Sequence, residues 1–363
     1  MRTRSFVLAR IDELASIECN NGYGNRCHPE QKRYEVFAEG GGNTFGCEID
    51  NKGRVYSGHN GGDTRGFHYV QGGYYRKGFG KHGPLSNPYA FGYFENIKSH
   101  SVPRFTHNFI IYEEGVLPEQ YHGRLFGVEP LQGQVVMSDF RPHQSSFETE
   151  DVSRILKTDD QWFRPVDIKA GPDGCIYVAD MYEQRIDHSS HYAGRIDRTN
   201  GRVYRIKGKS APSRPLAVDG DLIAALKHPQ RSHRQTANRL IGDLKDASLI
   251  PRLLEQTKES AGQTALESLW ALYQCGGLTD EIARQMLSHN DQFVRAWTVR
   301  LLCDDYQVAP SIAKALADLA ADEGYIEVRK QLASSAKRLP AKDALPIIRN
   351  LLNFKDVKAK HIM

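Results

Sequence analysis

The sequence predicts a β + α multidomain protein. A partial β-propeller of three to four blades is expected over residues 1–208, a linker over 209–216, and an α-solenoid of HEAT-like helical repeats over 217–363. Three observations predict it. A strand–turn–strand unit recurs in the first part. The second part has helical period and repeats itself. Between them runs Lys207-Gly208-Lys209-Ser210-Ala211-Pro212-Ser213-Arg214-Pro215, a Lys/Ser/Pro stretch of linker composition.

The clearest unit spans Trp162 to Asp180. Val166 and Ile168 alternate with polar neighbours, as a strand requires. Gly171-Pro172-Asp173-Gly174 is turn chemistry, because Pro fixes one φ and Gly is free to take a positive one. Ile176-Tyr177-Val178 is a β-rich run that ends on Asp180. One hairpin cannot bury both faces alone, so sheet neighbours are implied. Thr44 to His59 has the same layout, and aligning the turn glycines sets Gly53 on Gly174, Tyr56 on Tyr177 and His59 on Asp180. Half of a third copy runs from Tyr121, with Gly123 on Gly174 and Glu129 on Asp180. Recurrence of one strand unit at such intervals is the mark of a propeller.

Other elements fall around these. Arg33 to Ala38 alternates as a strand, and further strands are expected at 107–112, 134–138 and 201–206. Residues 58–84 read as a long loop, too rich in Gly for a helix and too rich in Tyr, Phe and His for a linker. Such a loop either carries function or lays its aromatics over a neighbouring blade. Blades are expected at 107–150 and 163–207, a third starting near 44, and the end of another in 1–38. A closed propeller needs at least four blades, so the chain is expected to begin inside a longer protein or to be completed by a partner. An open ring leaves bare strand edges.

In the second part, four similar segments begin at residues 234, 262, 295 and 329, spaced by 28, 33 and 34. Partner helices such as the one containing Leu249 to Leu254 lie between them. Paired helices of this period stack into a solenoid that serves as a buttress or a docking surface. His228 and His289 read as residues of the turns between paired helices.

Composition excludes several classes. With 363 residues, 40% hydrophobic and 25% charged, the chain is ordinary for a globular protein. A net charge of +4 without an aromatic-basic stripe argues against nucleic acid. No apolar run approaches the length of a membrane span. Met1 to Arg10 lacks the apolar core of a signal peptide. Of the six cysteines, Cys47, Cys175 and Cys303 sit in apolar patterns and read as core, while Cys19 and Cys27 could pair in an oxidising compartment. None forms the C-x-x-C-H of a haem site.

If the units are sister blades, the starts of first strands and the ends of second strands share one rim. This gathers Asn43 and Arg164 with His59, Glu129 and Asp180, beside a loop carrying Asp63 and Arg65. A His serves as a base near neutral pH, carboxylates suit Ca²⁺, and Arg clamps an anion. Each residue also has a plainer role: Asp180 as a turn cap, Arg164 as a partner of Asp167.

Residues 35–46 (EVFAEGGGNTFG), 57–94 and 162–186, with the helical tail, resemble the membrane-bound dehydrogenase family of planctomycete and verrucomicrobial bacteria. Those exported proteins join a propeller, similar to the quinoprotein sugar dehydrogenases, to HEAT repeats. The resemblance implies pyrroloquinoline quinone and Ca²⁺ on the rim, a sugar or alcohol substrate, a cytochrome c electron acceptor, and a periplasmic or secreted location. It makes His59 the catalytic base, Arg65 and Arg164 the cofactor contacts, and Glu129 and Asp180 the metal ligands. The chain departs from that family in lacking the front of the propeller and the haem motif. The alternative is a non-catalytic scaffold whose rim grips a glycan or protein.

Overall fold

The computed structural model describes residues 15–20, 23–28, 33–41, 44–75, 93–184, 193, 195–197, 199–209 and 217–354. Its first part is four antiparallel-rich sheets in chain order. The first holds β1 (Ala15–Asn20), β2 (Tyr23–His28) and β3 (Arg33–Glu39), and the second β4 (Thr44–Ile49), β5 (Val55–His59) and β6 (Phe67–Tyr69). The third has the order β7 (Lys98–Ser99), β11 (Ser146–Lys157), β10 (Gln134–His143), β9 (Leu125–Glu129), β8 (Phe109–Ile111), with β7 parallel to β11. The fourth is β12 (Pro165–Ala170), β13 (Ile176–Asp180) and β14 (Arg202–Ile206).

The three aligned glycines share one conformation: φ is 72° at Gly53, 71° at Gly123 and 72° at Gly174. A five-residue strand begins two positions after each of them. Only glycine takes this left-handed geometry without strain, so the sequence alignment marked a shared turn. Tyr56 and Tyr177 also match, each donating its hydroxyl to a turn aspartate, Asp50 and Asp173.

Successive sheets touch through their early strands. β1 lies beside β4, β4 beside β8, and β12 beside β8 and β9. Ile110, Phe126, Val128, Ile168, Ile176 and Val178 fill the space between the third and fourth sheets. The described residues form no closed barrel or ring.

Two expectations change. The stretch 58–84 is not one long loop, because β6 lies within it; residues 76–84 fall outside the described residues. Its Phe67, Tyr69 and Tyr75 pack with Phe37, Cys47 and Val55, so these aromatics are core. A Cys19–Cys27 disulfide is excluded by register: Cys27 opposes Ala15 and Cys19 opposes Gly24. That leaves the two about four residues apart along the hairpin, roughly 13 Å, well past the reach of a disulfide. Cys47, Cys175 and Cys303 are buried, as expected.

The second part is helical. The helices are α1 (Leu222–Ala225), α2 (Arg231–Leu244), α3 (Ile250–Glu259), α4 (Gly262–Gln274), α5 (Asp280–Met286), α6 (Gln292–Cys303), α7 (Pro310–Asp322), α8 (Ile326–Ala336) and α9 (Ala341–Leu351). Asp221, Thr279 and Asp291 cap α1, α5 and α6 with side-chain oxygens. The four repeat segments fall in α2, α4, α6 and α8. His228 and His289 do lie in the turns before α2 and α6. Each accepts on Nδ1 from the backbone N–H two residues on, Gln230 and Asp291. Arg234 and Arg295 reach back to bond the carbonyls of these same turns. Of the expected 209–216 linker, residues 210–216 lie outside the described residues.

Helices α2, α4, α6 and α8 face the sheets, mostly around the β4–β5 turn. Arg234 donates to Asn51 Oδ1 at 2.7 Å, Gln263 to Asn51 O at 2.7 Å, and Trp297 Nε1 to Lys52 O at 2.7 Å. Gly53 lies against the Trp297 ring. No helix among the described residues is long and apolar enough to cross a membrane.

Candidate functional site

The five sequence-selected residues come together at the ends of neighbouring strands. His59, Glu129 and Asp180 are the last residues of β5, β9 and β13, and all three are buried. The His59 backbone N–H donates to Thr106 O at 2.8 Å, and its ring meets Phe67 edge-on at 5.0 Å. Gly61 lies so close that a Cβ there would sit 2.3 Å from His59 Nε2. The Asn60–Asp63 segment thus covers the imidazole, and Asp63 takes a positive φ of 60° to make the bend. Asn60 Oδ1 accepts from Arg104 Nε at 3.0 Å on the outer side.

Arg65 joins this segment to the third sheet. Its guanidinium has no exposed surface and donates to Thr106 Oγ1 at 3.0 Å, Glu129 Oε1 at 2.5 Å and Asp151 Oδ2 at 2.6 Å. The second Glu129 oxygen accepts from Gln134 Nε2. Ser138 donates to the other Asp151 oxygen at 2.8 Å. A buried cation with two carboxylates is charge-compensated, and the members hold one another, with Arg65 Nε left without a hydrogen-bond partner.

Arg164 continues the chain. Its guanidinium donates to four backbone carbonyls, of Glu183, Pro130, Gln161 and Gln184, at 2.5–2.8 Å. Burial lowers its basicity, while Asp180 and Glu183 hold it up. The Arg164 backbone N–H and that of Tyr182 both donate to Asp180 Oδ1, at 2.8 and 2.9 Å. The remaining Asp180 oxygen is 3.9 Å from Arg202. So Asp180 does cap the turn. Asp167 is not the partner of Arg164: it accepts from Asn108 Nδ2 and from the backbone N–H of Ile168.

The structure therefore links His59, Thr106, Arg65, Glu129, Pro130, Arg164 and Asp180 in one continuous network. Asn43 lies outside the described residues. The terminal nitrogens of Arg65 and the whole Arg164 guanidinium are bonded to protein acceptors, and both Glu129 oxygens are taken by donors. Among the described residues no group of three His, Cys, Asp or Glu side chains is placed to hold a metal ion. Asp180 Oδ2, by contrast, is buried without a hydrogen-bond partner. Sequence reasoning missed Thr106, Asp151 and Gln134, which complete the cluster. Their separations from Arg65 and Glu129 follow no local motif.

A second polar site lies between sheets and helices. Arg231 Nη1 is 2.9 Å from Glu48 Oε1 and 3.6 Å from Glu113 Oε2, and Glu114 accepts from the Ser232 N–H. Burial, with Asp50 and Glu48 nearby, pushes the Glu113 carboxyl up to about 7 against the pull of Arg231.

The sequence model of a family described as "Domain of unknown function (DUF7133)" matches residues 20–210. No curated protein sequence matches the chain. Among solved structures, one similar protein is an inferred oxidoreductase (glucose dehydrogenase) from Thermus thermophilus. It is 18% identical with a TM-score of 0.33, and the match covers 47% of each chain. The chain thus spans about half the length of that structure.

Proposed function

The chain belongs to the DUF7133 family, whose description assigns no chemistry, and we propose that it is one sector of a quinoprotein-like oxidoreductase acting on a sugar or alcohol. In this reading the four sheets are blades of a larger propeller, the paired helices are HEAT-like repeats that buttress it, and the whole protein is exported. One observation carries it. Three strands from different sheets, β5, β9 and β13, end on His59, Glu129 and Asp180, and these ends are tied into one network.

The roles differ from residue to residue. Arg65, Glu129 and Arg164 form the framework of the rim, since their charged groups bond one another and backbone, while Asp180 caps the turn through Oδ1 and keeps a buried Oδ2 without a hydrogen-bond partner. His59 is the acid–base candidate. Its Nε2 faces Gly61, so the Asn60–Asp63 segment must lift before a substrate hydroxyl can reach it. A positioned imidazole is worth about 10²–10⁴-fold in rate. A quinone and a Ca²⁺ need ligands beyond the residues described.

The test is dye reduction by the longer parent protein, supplied with pyrroloquinoline quinone and Ca²⁺, across a panel of sugars and alcohols. Activity that falls about a hundredfold or more in His59→Gln, with circular dichroism unchanged, supports the reading. No reduction with any substrate removes it. The closed bonding of Arg65 and Arg164 favours a second reading, a non-catalytic scaffold. Glycan or protein binding without dye reduction would establish that one.

A further inference from the structure

At the end of β4 and β5 opposite His59, the loop after β8, the β4–β5 turn and the start of α2 come together. Glu48, Glu113 and Glu114 surround one guanidinium there. Arg231 Nη1 is 2.9 Å from Glu48 Oε1 and 3.6 Å from Glu113 Oε2. The side chains of Arg231 and Glu48 are each 9% exposed, and that of Glu113 is 18% exposed. Glu114 is buried and accepts from the Ser232 N–H at 3.0 Å.

The surrounding charges do not balance this group. Asp50 adds a further carboxylate beside Glu113, and it is occupied by Arg54, at 2.6 Å, and by the Tyr56 hydroxyl. Arg234, the next cation on α2 toward the cluster, is paired with the buried Glu267 at 3.0 Å and bonds turn carbonyls. Lys52, the cation of the β4–β5 turn, stands over the Phe293 ring at 4.7 Å and is shared with Asp291 and Asp50. Three carboxylates that face one guanidinium out of water cannot all ionise at their ordinary pH, so a proton stays among them. Glu113 is also a structural anchor. Its Oε2 accepts from the Asn51 N–H at 2.7 Å. Asn51 in turn accepts from Arg234 at its side chain and from Gln263 at its carbonyl, so Glu113 holds the residue that α2 and α4 both grip.

We propose that Glu48, Glu113, Glu114 and Arg231 form a proton-operated clasp: one proton held among the carboxylates keeps the loop after β8, the β4–β5 turn and α2 together, and its loss loosens them locally. Burial, with the Asp50 charge beside it, lifts the Glu113 carboxyl to about 7 against an ordinary 4.5. The closed state therefore keeps a proton that the opened state gives up. The clasp is firm on the acid side and weakens as pH rises through that value. With part of its side chain in water, Glu113 exchanges the proton with solvent without unfolding. The device lies away from the strand-end network and stands independently of the oxidoreductase reading.

The experiment is hydrogen exchange of the full chain at pH 6 and pH 8, each amide rate divided by that of the unstructured chain at the same pH. One proton released with a midpoint of about 7 corresponds to roughly tenfold less protection at pH 8 than at pH 6. That loss should appear at the Asn51 and Ser232 amides and not at the Val128 amide, which bonds Asn108 O within the third sheet. Glu113→Gln, neutral at every pH, should show the same protection at both. Glu48→Gln should move the loss to lower pH, because one competing charge is gone. Equal protection at the two pH values in the wild type, a loss that persists in Glu113→Gln, or an equal loss at Val128 would each overturn the inference.

Discussion

Arg65 is the side chain with most at stake. It is fully buried and its cation holds Glu129, also fully buried, and Asp151. Removing it leaves a carboxylate without its counter-charge. Arg65→Met should therefore cost about 3–5 kcal/mol of stability in urea unfolding. The double variant Arg65→Met/Glu129→Gln should regain part of that loss, with no cofactor present. Residue-scale reading of the sequence did well with glycines and poorly with charges. Gly53, Gly123 and Gly174 were legible because a positive φ is a local demand. The Arg65 partners lie 41, 64 and 86 residues away and left no local trace. The same glycines give a graded test. An alanine at any of them meets backbone strain of about 1–2 kcal/mol. At Gly123 nothing else lies within 4 Å, whereas a Cβ at Gly53 would be 2.2 Å from Trp297 Cζ2, and at Gly174 2.2 Å from Val116 Cγ2. Gly123→Ala should thus cost about 1–2 kcal/mol, and the other two distinctly more, by chemical denaturation.

At the scale of elements, the strand–turn–strand units and the four repeat helices were readable from period and turn chemistry. Their docking was not, since it is made by polar groups on turns. The Glu48, Glu113, Glu114 and Arg231 cluster illustrates this, joining the loop after β8 to the start of α2. Glu113 titrates near 7 when folded, against an ordinary value of 4.5. Between those values the native state binds more protons than the unfolded chain, so stability falls as pH rises through this window. Equilibrium unfolding should show the chain less stable at pH 8 than at pH 5 through this group. Glu113→Gln should flatten that slope and raise stability at the alkaline end. An unchanged slope in the variant would assign the effect elsewhere.

For the whole molecule, the sequence suggested two materials joined by a linker, and the structure adds that their faces interlock. The β4–β5 turn is gripped by α2, α4 and α6, while Arg338 and Lys337, just after α8, reach Glu35 and Gly72 O on the sheet side. Calorimetry should therefore record one endotherm for sheets and helices together. Trp297→Ala, costing about 3–5 kcal/mol, should lower that midpoint or split the transition in two. Two separate endotherms in the wild type would mean that the junction couples weakly. The feature that made this join visible also makes it measurable. Trp297 and Trp270 stand edge to face at 5.1 Å, with Arg300 above the Trp297 ring and the Trp297 N–H bonded to the β4–β5 turn. Indoles so placed interact electronically, so separation of the two layers would change both near-ultraviolet ellipticity and emission. The protein carries its own optical gauge of whether its halves are engaged.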